Sequence, residues 1–115
     1  MTLAVDCGTA VNPDSIIAQL QGGLVFGLTA ALYGEITVKN GRVQQSNFHD
    51  YRMLRIDQMP RIDIHLVKSG DVPGGIGEAG VVGGPPALRN AIHVATGVWL
   101  RRMPVDRKLI AGEKA

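Results

Sequence analysis

The segment from Pro13 to Tyr33 constrains the fold most, because it has the pattern of one long helix that is apolar on every side. Asn12 is a suitable N-cap, with a proline at the first helical position and an acid in the first turn. Asp14 is the only charged residue of the segment, and the large apolar side chains are spread around the whole circumference. A helix of this kind is buried on all sides.

Complete burial of this helix is difficult in a chain of 115 residues, because a small domain has two packed layers and leaves one helix face in water. We therefore expect a surface outside the chain to cover it. Residues 16–33 approach the lower length limit of a membrane span, but Gln19 and Gln21 interrupt the stretch and no cationic flank lies nearby, so we expect no membrane span. Gly23 and Gly27 fall on one helical face and would let another backbone approach closely.

The remaining pattern predicts a small α+β domain with a mostly antiparallel sheet, one buried helix and one amphipathic helix. The predicted strands lie at residues 3–5, 35–38, 42–44 and 61–68. Asn40-Gly41 accepts positive φ at both turn centres and therefore predicts a hairpin. Pro85-Pro86 is predicted to open the amphipathic helix, which extends to about Leu100.

Composition excludes several kinds of site. The single cysteine rules out an internal disulfide framework, a four-cysteine zinc site and a set of iron–sulfur ligands. His49, His65 and His93 are too scattered to indicate a metal site. The net charge of +2 comes from cations concentrated near the C-terminus, without the interleaved aromatic residues of a nucleic-acid surface. We therefore expect no nucleic-acid partner.

A glycine-rich segment at residues 70–84 contains seven glycines. Ordering this segment costs much conformational entropy, because glycine loses the most backbone freedom on folding. Such a segment is typical of places where the backbone must approach a ligand closely. Glu78 is the only ionisable residue between Asp71 and Arg89. A buried carboxylate without a neighbouring cation gains proton affinity and can act as a general base. The alternative is an exposed acid in a flexible loop.

The same loop matches the dinucleotide fingerprint G-x-G-x-x-G from Gly75 to Gly80. That fingerprint requires a helix that opens at the glycines, whereas the predicted helix begins beyond Gly84. An anionic Glu78 inside the loop would also repel a pyrophosphate. We therefore expect no dinucleotide site.

Four segments occur in an order that resembles one known family. They are Ala4-Val5-Asp6-Cys7-Gly8, Val11-Asn12-Pro13 with residues 18–28, residues 47–60, and Gly75-Ile76-Gly77-Glu78 followed by Pro85-Pro86-Ala87. Together they resemble the closing part of the molybdenum-binding subunit of the xanthine oxidase and aldehyde oxidase family, in its isoquinoline 1-oxidoreductase and aldehyde dehydrogenase type. The resemblance extends from about Leu3 to Val105.

This resemblance implies that residues 1–105 form the C-terminal molybdopterin-binding domain of a larger subunit, followed by a polar tail at residues 106–115. It implies hydroxylation of an aldehyde or an N-heterocycle with oxygen from water, at a molybdenum pterin cofactor. By the same resemblance Glu78 is the general base, Gln19 contacts the pterin, and Gly75 and Gly77 lie near the cofactor. No protein side chain is expected to bind the metal.

The resemblance also implies partners. They are the remainder of the large subunit, a subunit that carries iron–sulfur clusters, and a small aldehyde or N-heterocyclic substrate. Because the other pterin-binding and substrate-pocket segments are absent from the 115 residues, we expect one wall of an active site and no turnover from the chain alone. The alternative is a non-catalytic scaffold or oligomerisation module that buries residues 13–33 in a homo-oligomer.

Overall fold

The computed structural model describes residues 1–112 and confirms the α+β class. The strands are β1 (Thr2–Val5), β2 (Val38–Lys39), β3 (Arg42–Val43) and β4 (Asp63–Leu66), and the helices are α1 (Pro13–Tyr33), α2 (Ala79–Thr96) and α3 (Arg107–Ala111). The main packing unit is α1 against α2, and α1 also contacts β4.

Helix α1 has the predicted bounds and the predicted cap. The Asn12 side chain accepts a hydrogen bond from the backbone N–H of Ser15 at 3.1 Å, and the helix ends at Gly34. Thr29 is buried. The other buried residues follow the spacing of one face and are Leu20, Gly23, Leu24, Gly27, Leu28 and Ala31. Phe26 points away from that face and is 62% exposed. The described residues therefore cover one side of α1 and leave the rest of its apolar surface open.

By length and composition α1 could cross a membrane, since its most apolar window has a mean hydropathy of 1.5. The central helix of a domain core has the same composition. The packing of α1 against α2 and β4 favours the second interpretation.

The two helices touch through their backbones at a glycine-lined crossing. A Cβ atom on Gly27 would lie 2.3 Å from the carbonyl oxygen of Val81, and one on Gly80 would lie 2.5 Å from the carbonyl oxygen of Leu20. A Cβ atom on Gly23 would likewise lie 3.3 Å from the Cα atom of Gly80. The predicted close approach at Gly23 and Gly27 is therefore confirmed, with α2 of the same chain as the partner.

Helix α2 begins at Ala79, so the prediction that Pro85-Pro86 opens it is wrong. Prolines favour the first helical turn because they lack an N–H, and here they lie inside the helix instead. Without the N–H of Pro85 the carbonyl oxygen of Val81 loses its regular intrahelical partner, and this oxygen faces Gly27. The contact with α1 stabilises a turn that local sequence preference does not favour. The helix ends at Thr96, followed by Gly97 with a φ of 76°.

The longer strand pair is parallel, which corrects the expectation of a mostly antiparallel sheet. Strand β1 pairs with β4 from Thr2 opposite Asp63 to Val5 opposite Leu66. Residues 6–62 connect the two strands and include α1, which provides the crossover that a parallel pair needs. The hairpin of β2 and β3 is antiparallel as predicted, with positive φ at both Asn40 and Gly41.

The segment predicted to be a polar tail contains helix α3 within its described part. The Asp106 side chain caps α3 by accepting a hydrogen bond from the N–H of Lys108 at 2.9 Å. Just before it, the N–H of Val105 donates to the carbonyl oxygen of Ala31 at 2.8 Å. This contact attaches the segment to the C-terminal half of α1. The final part of the predicted tail, residues 113–115, lies outside the described residues.

The turn that follows the hairpin is organised by the Asp50 carboxylate. It accepts hydrogen bonds from the backbone N–H groups of Asn47 at 3.0 Å and Ser46 at 2.9 Å. These bonds, that of Asn47 first, lower the pKa of Asp50 from 3.8 to about 2. Because the folded pKa lies below the unfolded value, the stabilisation is complete above about pH 4 and is lost as the pH falls toward 2.

We expect an NMR titration of the Asp50 carboxyl carbon to have its midpoint near pH 2. The amide signals of Ser46 and Asn47 should shift with the same midpoint, because both N–H groups bind the titrating carboxylate. Ser46→Ala removes the hydroxyl contact alone and should leave most of the shift in place. A midpoint at the ordinary value of 3.8 would contradict this assignment.

Candidate functional site

The residues that follow β1 anchor the beginning of the glycine-rich loop. The carbonyl oxygen of Cys7 accepts a hydrogen bond from the N–H of Gly74 at 2.8 Å. The N–H and hydroxyl of Thr9 both donate to the carbonyl oxygen of Asp71, at 2.9 and 2.8 Å. These three bonds tie residues 71–74 to the end of the parallel strand pair.

Gly8 makes this anchor possible. Its φ is +70°, and a Cβ atom there would lie 2.0 Å from the carbonyl oxygen of Val72. The Asp6 carboxylate accepts hydrogen bonds from the N–H of Gly8 at 3.0 Å and from the Ser69 hydroxyl at 2.7 Å. Those two bonds, that of Gly8 first, lower the pKa of Asp6.

Sequence reasoning did not assign Gly8 and Thr9 to the site. An aspartate and a glycine that closely follow a short strand indicate a turn. They do not identify the distant loop that the turn contacts. The partner lies more than sixty residues away in the chain.

Gln19 joins α1 to the middle of the same loop. Its side-chain Nε2 donates a hydrogen bond to the carbonyl oxygen of Gly77 at 2.7 Å. The structure therefore brings together two residues that were predicted to lie near a cofactor. Gly75 lies two residues earlier in the loop, and a Cβ atom at Gly75 or Gly77 would meet nothing within 4 Å. Both glycines are exposed.

Glu78 follows directly and is the N-cap residue of α2. Its carbonyl oxygen accepts a hydrogen bond from the N–H of Val81 at 2.9 Å. Its side chain is exposed and makes no hydrogen bond to any of residues 1–112. The burial on which the sequence argument for a base depended is not provided by the described residues.

The start of α2 also bears on the dinucleotide fingerprint. The helix opens at Ala79, inside the Gly75 to Gly80 segment, so a late helix start is no longer a reason to exclude a dinucleotide. The charge of Glu78 within the fingerprint remains a reason. Within residues 1–112 the parallel pairing is limited to β1 and β4. A dinucleotide-binding fold has repeated strand–helix–strand units instead.

In the part of the chain that the structure describes, no three His, Cys, Asp or Glu side chains come together in a group able to hold a metal ion. The candidate site is instead a surface at one end of the α1–α2 crossing. It consists of the Gln19 amide, the Gly75–Gly77 backbone and the Glu78 carboxylate, and all of these residues are exposed except the half-buried Ile76.

Residues 1–60 match the family model of the molybdopterin cofactor-binding domain. The chain belongs to this family. The match includes Gln19 and the loop anchor at Cys7 to Thr9, and it ends before the glycine-rich loop.

Similarity to individual proteins extends beyond residue 60. The isoquinoline 1-oxidoreductase subunit beta of Brevundimonas diminuta is 42% identical over 102 residues, which are 89% of this chain and 13% of that protein. The membrane-bound, pyrroloquinoline-quinone aldehyde dehydrogenase of Gluconacetobacter polyoxogenes is 41% identical over 91% of this chain and 14% of its own length. The crystal structure of quinoline 2-oxidoreductase from Pseudomonas putida 86 superposes with a TM-score of 0.76 at 26% identity, over 88% of this chain and 14% of that one.

These findings confirm the predicted family, fold and cofactor class. The chain is a molybdopterin-binding segment of the xanthine oxidase family, and the cofactor of that family is a molybdenum pterin. The chain spans only 13% and 14% of the length of the two curated relatives described above. The individual roles of Gln19, Gly75, Gly77 and Glu78 remain predictions.

Proposed function

We propose that this chain forms one wall of the active site of a molybdenum hydroxylase that oxidises an aldehyde or an N-heterocycle with oxygen taken from water. Gln19 holds the pterin, Gly75 and Gly77 lie beside the cofactor, and Glu78 is the general base. The observation that carries the proposal is the 2.7 Å hydrogen bond from the Gln19 amide to the carbonyl oxygen of Gly77, the residue directly before Glu78.

The exposed groups of this surface suit a pterin. The backbone N–H groups of Gly75, Ile76 and Gly77 have no acceptor among residues 1–112, and the Oε1 atom of Gln19 is likewise unpaired there. A pterin edge carries both donors and acceptors, so free N–H groups and an amide oxygen can bind it. The open space at Gly75 and Gly77 allows the loop backbone to lie against a flat ring. When bound, the cofactor supplies the centre that accepts the substrate's electrons.

Glu78 acts in this proposal by accepting the proton that leaves the attacking water-derived group. Its carboxylate has no intramolecular partner among residues 1–112, so both oxygens can accept. Its backbone is held in place because the loop before it is bound by Gln19 and the helix after it is packed on α1.

The rest of the pocket comes from partners in this proposal. The remainder of the large subunit covers the exposed side of α1 at Phe26, supplies the other pterin and substrate contacts, and buries Glu78. A subunit with iron–sulfur clusters removes the electrons. Alone, the chain then has a cofactor contact and a base, its candidate site is an open surface within residues 1–112, and it does not turn over substrate.

Gln19→Ala in the complete enzyme is expected to weaken cofactor retention by about tenfold, as loss of one or two hydrogen bonds predicts. The reason is that the substitution removes the pterin contact and releases Gly77. The measurement is molybdenum and pterin content after gel filtration at a series of dilutions.

Gln21→Ala is the matched control. Gln21 lies on the same helix and its side chain makes no hydrogen bond to residues 1–112. Retention in this variant should equal that of the parent enzyme. Equal retention in the Gln19 and Gln21 variants would contradict the cofactor role of Gln19.

A further inference from the structure

A second concave site lies toward the opposite end of α2 from Glu78. It is a cavity of about 280 Å³ lined by Arg89, Leu100, Arg101, Arg102 and Met103. Arg89 follows Glu78 by eleven residues, which is about 16 Å along a helix axis. The cavity is therefore separate from the surface proposed to hold the pterin.

Two contacts position the guanidinium of Arg89 at this cavity. Its Nε donates a hydrogen bond to the carbonyl oxygen of Leu100 at 2.5 Å, and its Cζ lies 5.1 Å from the ring centroid of Trp99. Gly97, with a φ of 76°, reverses the chain so that Leu100 returns to Arg89, and Leu100 is only 2% exposed. The two terminal nitrogens of Arg89 have no acceptor among residues 1–112. A fixed guanidinium with free terminal N–H groups is prepared to bind an oxyanion in a fork geometry.

The residues that line the cavity carry a net positive charge. Three of the five lining residues are arginines and none is acidic. The ion pairs within residues 1–112 are His49 with Asp50 and Arg61 with Asp63, so the three arginines have no carboxylate partner there. Glu35 and Asp106 line a neighbouring cavity that also includes Arg102, without forming an ion pair with it.

We propose that the cavity of Arg89, Arg101 and Arg102 binds a phosphate group. Phosphate presents three oxygens and up to two negative charges, so it can bind the Arg89 fork and a second guanidinium together. A single carboxylate from an acidic protein segment would neutralise one of the three positive charges. The concentration of like charge in one concave site therefore favours the dianion.

Trp99 allows this to be measured directly, because it is the only tryptophan of the chain. Its ring lies next to the Arg89 guanidinium and stacks on His93 at 3.8 Å between ring centroids. Inorganic phosphate is titrated into the full chain at about pH 8, where it is a dianion, with chloride keeping the ionic strength constant. The expected result is a saturable fluorescence change and a dissociation constant at least about tenfold lower than that of acetate. Phosphorus NMR line broadening of inorganic phosphate, with acetate added as a competitor, provides the same comparison in the complete enzyme.

The paired substitution Arg101→Gln with Arg102→Gln is expected to weaken phosphate binding by at least about tenfold. Arg107→Gln with Lys108→Gln removes the same net charge from the same segment, outside the cavity lining, and should leave the affinity unchanged. Arg89→Lys keeps the charge but removes the fork, and should also weaken binding. The proposal is overturned by an unsaturable response, by equal affinities for phosphate and acetate, or by equal weakening in the two double variants.

Discussion

Glu78→Gln in the complete enzyme is expected to lower turnover by about 10²- to 10⁴-fold, the usual contribution of a positioned general base. Glutamine has nearly the same shape but cannot accept the proton. The Gln19 hydrogen bond to Gly77 uses a backbone oxygen, and α2 receives no side-chain cap from Glu78, so the local fold should survive the substitution. Molybdenum and pterin content should therefore equal those of the parent enzyme.

Glu35→Gln is the matched control for this experiment. Glu35 is also exposed, and it follows the C-terminal end of α1, whereas Gln19 lies fourteen residues before Tyr33, or about 21 Å along the helix. Turnover in the control should be unchanged. Near-normal turnover in Glu78→Gln with full cofactor content would contradict the role of Glu78 as the base. The cofactor contact of Gln19 is tested separately, by the cofactor retention of Gln19→Ala.

Gly27→Ala is expected to lower the free energy of unfolding by about 2 kcal/mol or more, at the upper part of the range for overpacking. The new Cβ atom would lie 2.3 Å from the carbonyl oxygen of Val81, and a backbone atom cannot move aside by changing a rotamer. The helices must separate instead, which exposes the contact between Leu24 and Gly84. Urea unfolding of the chain measures the change.

Gly22→Ala provides the control on the same helix. Gly22 is exposed, and a Cβ atom there would meet nothing within 4 Å. Alanine should stabilise this position by about 0.5–1 kcal/mol, because glycine is a poor helix former. The two substitutions are chemically identical, so a difference in sign isolates the crossing. Similar effects for both variants would contradict the close contact.

Gly80→Ala tests whether the same crossing also positions the site. Its Cβ atom would lie 2.5 Å from the carbonyl oxygen of Leu20. Leu20 directly follows Gln19, and Gly80 lies two residues after Glu78. We expect instability comparable to that of Gly27→Ala and, in the complete enzyme, a larger loss of turnover. Displacement of the α2 N-terminus moves the base itself.

Much of the fold could be predicted because local signals agreed with the final structure. The Asn12 cap and the apolar run determine α1, and the Asn40-Gly41 turn determines the hairpin, since each depends on residues close in the chain. The site residues Gln19, Gly75, Gly77 and Glu78 came from resemblance to a family. No local rule distinguishes Gln19 from Gln21, and only Gln19 forms a side-chain hydrogen bond to the loop.

The errors have a common physical cause. Proline preference placed the start of α2 at residue 85, whereas contact with α1 stabilises the six residues from Ala79 to Gly84 as helix. The pattern of elements led to the expectation of a mostly antiparallel sheet, whereas the long connection through α1 brings β1 and β4 together in parallel. In both cases a contact between distant segments outweighed a local preference.

The sequence by itself determined the elements whose hydrogen bonds close locally and the membership in a molybdenum hydroxylase family. Only the tertiary structure decided how the glycine-rich loop is held. Gly8 and Thr9 bind its beginning, Gln19 binds its middle, and the glycine crossing fixes the helix that follows Glu78. A glycine-rich segment has almost no conformational preference of its own, so its shape is determined by the groups that contact it across the fold.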